Sequence, residues 1–142
     1  RLIGLKLLTV MPFLFWKMSS PNTTHIGRQA ESYALDYLRE QQLSLVARNW
    51  TCRYGELDLI MTDRATLVFI EVRYKRHLGF MSPIESINRA KQQKIIRAAT
   101  AFIQQQAEWQ QHPCRFDVIG VTGAMHNLSY DWIQNAFDAS PL

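Results

Sequence analysis

Two apolar stretches that each contain one acidic residue constrain this fold most strongly. Residues 56–62 (ELDLIMT) and 67–73 (LVFIEVR) are rich in residue types that favour β-strands, and the short turn at 63–66 separates them. A connection this short predicts an antiparallel hairpin. Counting outward from the turn places Asp58 roughly opposite Glu71, so we expect the two carboxylates side by side on one face of a sheet.

The expected carboxylate pair needs a compensating charge. Burying unpaired carboxylates is costly, and two together repel unless a cation or a proton lies between them. A divalent metal is one solution, since Mg²⁺ prefers oxygen ligands and commonly binds one or two carboxylates, waters and a substrate phosphate. Such an ion could activate water for attack on a phosphodiester. The alternative is a salt bridge to Arg73 or Arg53.

The remaining elements predict an α/β domain with a mixed sheet. Helical spacing of apolar residues predicts a first helix over 24–41, capped by Thr24. The pattern Ser82-Pro83-Ile84-Glu85 is a capping box and predicts a long helix that runs to about residue 107. Further strands are expected over 43–50, 115–121 and, at an edge, 128–133. This order of elements indicates a layered α/β architecture.

Positive charge is concentrated next to the acidic pair. The chain has a net charge of +4, but residues 71–97 alone carry seven basic and two acidic side chains, so the rest sums to −1. Phosphate contacts need basic residues on one exposed surface, whereas the alternative is an ordinary solvated helix face. The candidate nucleic-acid contacts are Lys75, Arg76, Arg89, Gln92, Gln93 and Arg97.

The N-terminal segment and the cysteines bear on domain organisation and compartment. We expect residues 1–17 to be a poorly ordered leader, upstream or non-native, with Met18 as the true start and 18–142 as a single domain. Residues 2–16 are nearly all apolar but shorter than the about 20 residues of a spanning helix, so no stable membrane association is expected. A weak membrane-associating or secretory leader is the alternative. Two cysteines without a CxxC motif favour a cytoplasmic protein with reduced thiols.

Five short motifs, taken in order, resemble a known family. They are Gly27-Arg28-Gln29-Ala30-Glu31, Arg48-Asn49-Trp50, Gly55-Glu56-Leu57-Asp58, Phe69-Ile70-Glu71-Val72-Arg73 and Arg115-Phe116-Asp117. Together they resemble the bacterial YraN-like family of uncharacterised proteins, over roughly residues 24–135. That family is similar in fold to archaeal Holliday-junction resolvases. The spacing from Asp58 to Glu71 also resembles the PD-(D/E)xK nuclease superfamily.

The resemblance implies a restriction-endonuclease-like αβββαβ core with a mixed β-sheet flanked by helices. It implies that Asp58 and Glu71 bind Mg²⁺ or Mn²⁺, with the Val72 carbonyl as a further ligand. Glu31, on the first helix, would reach the metal through water. By its helical spacing Glu31 points inward, so the alternative is an inward acid paired with an arginine. Glu56 shares the face of Asp58 and is a reserve ligand.

Arg73 departs from the superfamily pattern, which usually has lysine at this position. Arginine can stabilise charge and bind phosphate, but its guanidinium stays protonated in proteins, so it cannot act as a base. Lys91 lies on the apolar stripe of the long helix and resembles a lysine that the superfamily directs at its site. Its alternative role is that of a lysine whose stem covers apolar surface.

These features predict a metal-dependent endonuclease-like protein that acts on structured or branched DNA. Asp58, Glu71 and Glu31 would serve the metal, and Arg73 and Lys91 would stabilise charge on the phosphate. Two alternatives stay open: a nucleic-acid-binding module of the same fold without cleavage, and a structural or interaction protein. A resolvase-like function would suggest a homodimer.

Overall fold

The computed structural model describes residues 21–77 and 81–139. The predicted leader at 1–17, Met18, and part of the loop that contains Gly79 lie outside the described residues. Two α-helices and five strands form the described fold: α1 (Pro21–Glu40), β1 (Ser44–Cys52), β2 (Gly55–Asp63), β3 (Thr66–Lys75), α2 (Arg89–Gln105), β4 (Cys114–Ala124) and β5 (Asn127–Phe137). Neither of these helices is long and apolar enough to cross a membrane.

The five strands form one mixed sheet in the order β1-β2-β3-β4-β5. All neighbours are antiparallel except β3 and β4, which are parallel. A parallel pair needs a crossover connection, and α2 supplies it. The α/β fold class is therefore confirmed, and the architecture is compatible with a restriction-endonuclease-like core.

The predicted hairpin of β2 and β3 is confirmed. The two strands pair antiparallel from Asp63↔Thr66 at the turn to Leu59↔Ile70. The next step of this register sets Asp58 level with Glu71, as the count from the turn predicts. The two acids thus lie where the ladder between these strands ends.

A helix covers each face of the sheet, and the two faces form separate hydrophobic clusters. On one side α1 packs Ala34 and Leu38 against β-strand residues that include Ile70. On the other side α2 packs Ile95 and Phe102 against a set that includes Phe69. Because β3 is covered on both faces, its residues from 67 to 73 are all buried. Any charged side chain on this stretch is therefore removed from water.

The long helix starts later than the capping box predicts. The box forms, since the Ser82 N–H donates to Glu85 Oε2 at 3.2 Å and the Glu85 N–H to Ser82 Oγ at 3.4 Å. It opens only a 3₁₀ turn over Ile84–Ser86, and the buried residue Ile87 is extended, with φ −111°. The prediction of a continuous helix from residue 82 to 107 was therefore wrong.

The start of α2 is set by Asn88, whose side chain accepts a hydrogen bond from the Lys91 N–H at 2.9 Å. Packing explains the interruption before it, since Pro83 lies directly against Gly120 of β4. The first helix differs from its prediction too. It begins at Pro21, so Thr24 lies inside α1 and is not its N-cap.

Candidate metal centre

The carboxylate of Asp58 accepts a backbone hydrogen bond at the point where the pairing between β2 and β3 ends. Its side chain is 1% exposed, and Oδ2 accepts a hydrogen bond from the backbone N–H of Val72 at 2.9 Å. The side chain thus satisfies a backbone donor that the partner strand no longer pairs. Val72 contacts Asp58 through its backbone N–H. The role of its carbonyl as a metal ligand stays a prediction.

Three carboxylates converge at this end of the hairpin. Glu31 of α1, Glu56 and Asp58 of β2 each offer an oxygen, and these three atoms lie within 4.8 Å of one another. Glu31 is only 7% exposed, which confirms its inward orientation, while Glu56 is exposed. We call this set the acidic pocket. Oxygen ligands from carboxylates are those that Mg²⁺ and Mn²⁺ prefer, so the acidic pocket could hold a metal ion.

Asn49 of β1 lies next to the acidic pocket and is missing from the sequence-based prediction of the site. The pairs Arg48↔Leu59 and Trp50↔Leu57 flank it, which sets Asn49 level with Asp58. With its amide nitrogen turned toward the pocket, Asn49 donates to Glu31 Oε2 at 2.8 Å and to Glu56 Oε1 at 3.1 Å. The Arg48-Asn49-Trp50 motif drew attention to this position without giving it a role.

Glu71 lies in a cluster of opposite charges. Its Oε1 is 3.4 Å from Arg73 Nη2 and 3.6 Å from Lys91 Nζ. The side chains of Glu71 and Arg73 are 2% and 1% exposed, whereas that of Lys91 is 23% exposed. The salt bridge to Arg73 that the sequence left as an alternative is therefore present. Lys91 faces the sheet, as its position on the apolar stripe predicts.

The structure thus divides the predicted site residues into two groups. Among the described residues, the three acids whose oxygens converge are those of the acidic pocket, and they include Glu56, the predicted reserve ligand. The metal-binding role predicted for Glu71 stays a prediction. Glu71, Arg73 and Lys91 form a second group, which we call the ionic cluster. The strand pairing ends at Leu59↔Ile70, one residue before Asp58 and Glu71, and the N–H of Val72, the residue after Glu71, donates to Asp58, so the two groups are adjacent.

The predicted nucleic-acid contacts differ in exposure. Arg76, Arg89, Gln93 and Arg97 are exposed, and the last three recur along one edge of α2. Lys75 is half-buried because β3 continues through it. The Gln92 side chain donates to the Ile87 carbonyl at 3.2 Å, so its amide helps to fix the start of α2.

Asp117 lies apart from the acidic pocket and stabilises the β4–β5 edge. It is fully buried, and its carboxylate accepts hydrogen bonds from Arg115 Nε at 3.0 Å, Trp132 Nε1 at 3.0 Å and the Asn135 N–H at 2.9 Å. Burial alone lowers the pKa of Arg115, but hydrogen bonds to Asp117 and Asp63 outweigh it and the pKa is raised. These contacts give Asp117 a structural role at the β4–β5 edge.

The fold and these groups define an α/β domain with a carboxylate pocket where two central strands part. A model of the uncharacterised protein family UPF0102 matches residues 30–121. A UPF0102 protein of Pseudomonas putida (strain F1) is 47% identical over 122 residues, which cover 85% of this chain and 99% of that protein. One of Stutzerimonas stutzeri (strain A1501) is 49% identical over 113 residues, 80% of this chain and 94% of that protein. The chain belongs to the UPF0102 family, which is the YraN family, so the resemblance is confirmed.

Proposed function

We propose that this protein is a metal-dependent endonuclease-like protein that binds structured or branched DNA and hydrolyses its phosphodiester bonds. The observation that carries the proposal is the acidic pocket of Glu31, Glu56 and Asp58, set beside a buried arginine and a half-buried lysine. A metal ion held by carboxylates and a nearby fixed positive charge can together stabilise a negatively charged phosphate.

The acidic pocket fits a hard divalent cation. Two carboxylate charges at 4.8 Å repel by roughly 3–4 kcal/mol at an effective dielectric constant of about 20, and a divalent ion between them reverses the sign of this energy. Mg²⁺ or Mn²⁺ held by Glu31, Glu56 and Asp58 would supply charge neutralisation at the phosphate and activation of a water. Asp58 is the best-fixed ligand, because the Val72 N–H orients its carboxylate.

The ionic cluster would supply the fixed positive charge. Arg73 is almost fully buried against Glu71, which suits it to orient Glu71 rather than to contact DNA. Lys91 contacts the same carboxylate but is more accessible, so its ammonium is the group that we assign to the scissile phosphate. Arginine is not expected to act as a general base, because a guanidinium stays protonated in proteins.

DNA would lie along the N-terminal half of α2 and the end of β3. Arg89, Gln93 and Arg97 present one exposed edge, and Arg76 follows β3 on the chain. Contacts from these side chains to phosphates fix position and orientation without reading sequence. Cleavage of both arms of a branched DNA would call for a homodimer.

A second candidate function is a nucleic-acid-binding module of the same fold that does not cleave. The observation that favours it is Arg73 in the place where the superfamily usually has lysine, fully buried and engaged with Glu71. Such a module would retain the exposed basic edge of α2. A structural or interaction protein, in which the acids only form ion pairs, is the third candidate.

One assay series separates these functions. Labelled duplex, single-stranded and four-way-junction DNA are incubated with the protein and Mg²⁺, Mn²⁺ or EDTA. Asp58→Asn and Glu71→Gln are the test variants, and Glu108→Gln, an exposed acid beyond the C-terminal end of α2, is the matched control. The proposal expects metal-dependent cleavage that both test variants lose and the control retains. Salt-sensitive binding without cleavage supports the binding module, and no binding at low salt contradicts both.

A further inference from the structure

The strand β5 lies at one edge of the sheet and contains a regular stretch, residues 127–133, which we call the edge segment. It pairs with β4 without interruption, from Ala124↔Asn127 to Val118↔Ile133. The register shift and the left-handed Asn135, with φ +51°, come only after it. Among the described residues no strand pairs with the outer side of β5. The backbone N–H and C=O groups that point outward there can therefore pair with another strand.

The opposite edge of the sheet is built differently, because β1 carries features that hinder pairing. A register shift lies between Leu45 and Ala47, Asn49 has a left-handed backbone with φ +50°, and Arg48 is exposed. Bulges and charged side chains are the usual protection of an edge strand. The edge segment (NLSYDWI) has no bulge, no proline and a single charged side chain, that of Asp131.

The α1 side of the edge segment carries an aromatic surface. Its half-buried side chains are Leu128, Tyr130 and Trp132, which pack against the hydrophobic cluster under α1. Tyr37 of α1 stacks on Tyr130, with the ring centroids 4.5 Å apart. One helical turn before Tyr37, Tyr33 is 40% exposed. Aromatic residues that stay partly open to water are enriched at protein–protein interfaces.

The edge segment is complementary to a second copy of itself. Opposite residues of an antiparallel pair alternate between hydrogen-bonded and non-hydrogen-bonded positions, so a twofold axis must pass through a residue that faces its own copy. Tyr130 is the midpoint of 127–133, and an axis there pairs the whole segment. It sets Trp132 opposite the partner's Leu128 and Asp131 opposite the partner's Ser129. An axis at Asp131 would instead set two carboxylates against each other, which is unfavourable.

We propose that the edge segment is the interface of a homodimer, in which two copies pair antiparallel about Tyr130 and join their sheets into one. A second copy fits this edge because length, apolar pattern and charge all match when the axis lies at the midpoint of the segment. Use of the same surface by both copies is the common arrangement of a symmetric dimer. The inference goes beyond the proposed function and does not depend on it, since neither a metal nor DNA takes part.

Ser129 provides the sharpest test, because among the symmetric registers only this one sets its exposed side chain opposite the partner's Asp131. Ser129→Asp creates two like-charge contacts per dimer and should weaken association by about tenfold. Ser129→Lys creates two opposite-charge contacts and should strengthen association. Adding Asp131→Lys to Ser129→Asp should restore it. Ser44 is exposed on β1 at the other edge, so Ser44→Asp and Ser44→Lys are the matched controls and should leave association unchanged.

Sedimentation equilibrium of the full chain over a range of concentrations measures the association, and thermal melts check that each variant folds. Hydrogen exchange of the backbone amides of 127–133 locates the contact. We expect a dimer that forms as concentration rises, with slower exchange of the edge segment in the dimer than in the monomer.

Several results would overturn the inference without touching the proposed function, which is tested by cleavage and metal binding. One is a wild-type chain that stays monomeric at every concentration. Another is slow exchange of the edge segment in a monomer, because another part of the chain would then cover this edge. A dimer that Ser129→Asp leaves intact, or that Ser129→Asp and Ser129→Lys weaken equally, would use a different interface or register and also contradicts the inference.

Discussion

Lys91 of α2 and Glu71 of β3 are joined across the sheet–helix boundary, with Nζ 3.6 Å from Oε1. Arg73 contacts the same carboxylate oxygen at 3.4 Å. One acid therefore holds two cations, of which only Lys91 has substantial access to solvent. This difference in burial gives the two cations separable roles, and each can be tested by a substitution.

Replacing Arg73 by methionine should destabilise the fold. Removal of one partner from a buried ion pair typically costs about 3–5 kcal/mol, because the other charge is left buried. The free energy of unfolding from urea denaturation measures this cost. Arg76→Met, at an exposed position three residues later, should change it by less than about 0.5 kcal/mol. Equal effects of the two substitutions would show that the Arg73–Glu71 pair contributes nothing.

Replacing Lys91 by methionine should impair cleavage far more than folding. Loss of one preorganised charge at a developing oxyanion lowers kcat by about 10²–10³. Methionine keeps an apolar stem of similar length in the half-buried position, so the fold should be little affected. Single-turnover cleavage and urea denaturation measure the two effects. Lys94→Met, which removes an exposed lysine of the same helix, should be near wild type in both. A kcat unaffected by Lys91→Met would remove Lys91 from the proposed mechanism.

The contact between Pro83 and Gly120 should tolerate no added methyl group. A Cβ at residue 120 would overlap the Pro83 ring, so Gly120→Ala should destabilise the protein by about 1–3 kcal/mol. Gly27→Ala is the opposite case, since nothing lies within 4 Å of its Cβ position in α1. There alanine should stabilise by up to about 1 kcal/mol. Thermal melts of both variants check the prediction, which fails if Gly120→Ala is neutral.

The exposed edge of α2 should account for much of the salt dependence of DNA binding. Each phosphate contact contributes a slope of about 0.9 to log Kd against log salt for duplex DNA. Replacing Arg89 and Arg97 with glutamine should therefore lower the slope by up to about 2. Arg39→Gln with Arg64→Gln makes the same charge change at exposed positions elsewhere. The same loss of slope in both double variants would indicate a net-charge effect rather than an interface.

Short-range sequence patterns predicted the β2–β3 hairpin at the centre of the sheet. The short turn at 63–66 between two strand-like stretches determines the β2–β3 register, which runs from Asp63↔Thr66 to Leu59↔Ile70. The start of α2 could not be predicted in this way. A complete capping box at Ser82 is overridden by packing of Pro83 on β4, which lies more than thirty residues further along the chain.

The make-up of the acidic pocket was only partly predictable for the same reason. The inward orientation of Glu31 followed from its helical spacing. Which acids converge depends on how α1 lies across β1 and β2. It also depends on the ion pairs that Glu71 forms with Arg73 of β3 and Lys91 of α2. The Arg48-Asn49-Trp50 motif marks the position of Asn49, but nothing in the sequence shows that its amide lies beside Glu31 and Glu56.

The most direct test of the account is calorimetric titration of wild type and Asp58→Asn with Mn²⁺. The asparagine oxygen can still accept the Val72 N–H, so the fold is retained while the pocket loses one negative charge. We expect one Mn²⁺ per chain in wild type, with binding at least about tenfold weaker in the variant. Equal binding by both proteins, or none by wild type, would contradict the assignment of the acidic pocket as a metal centre.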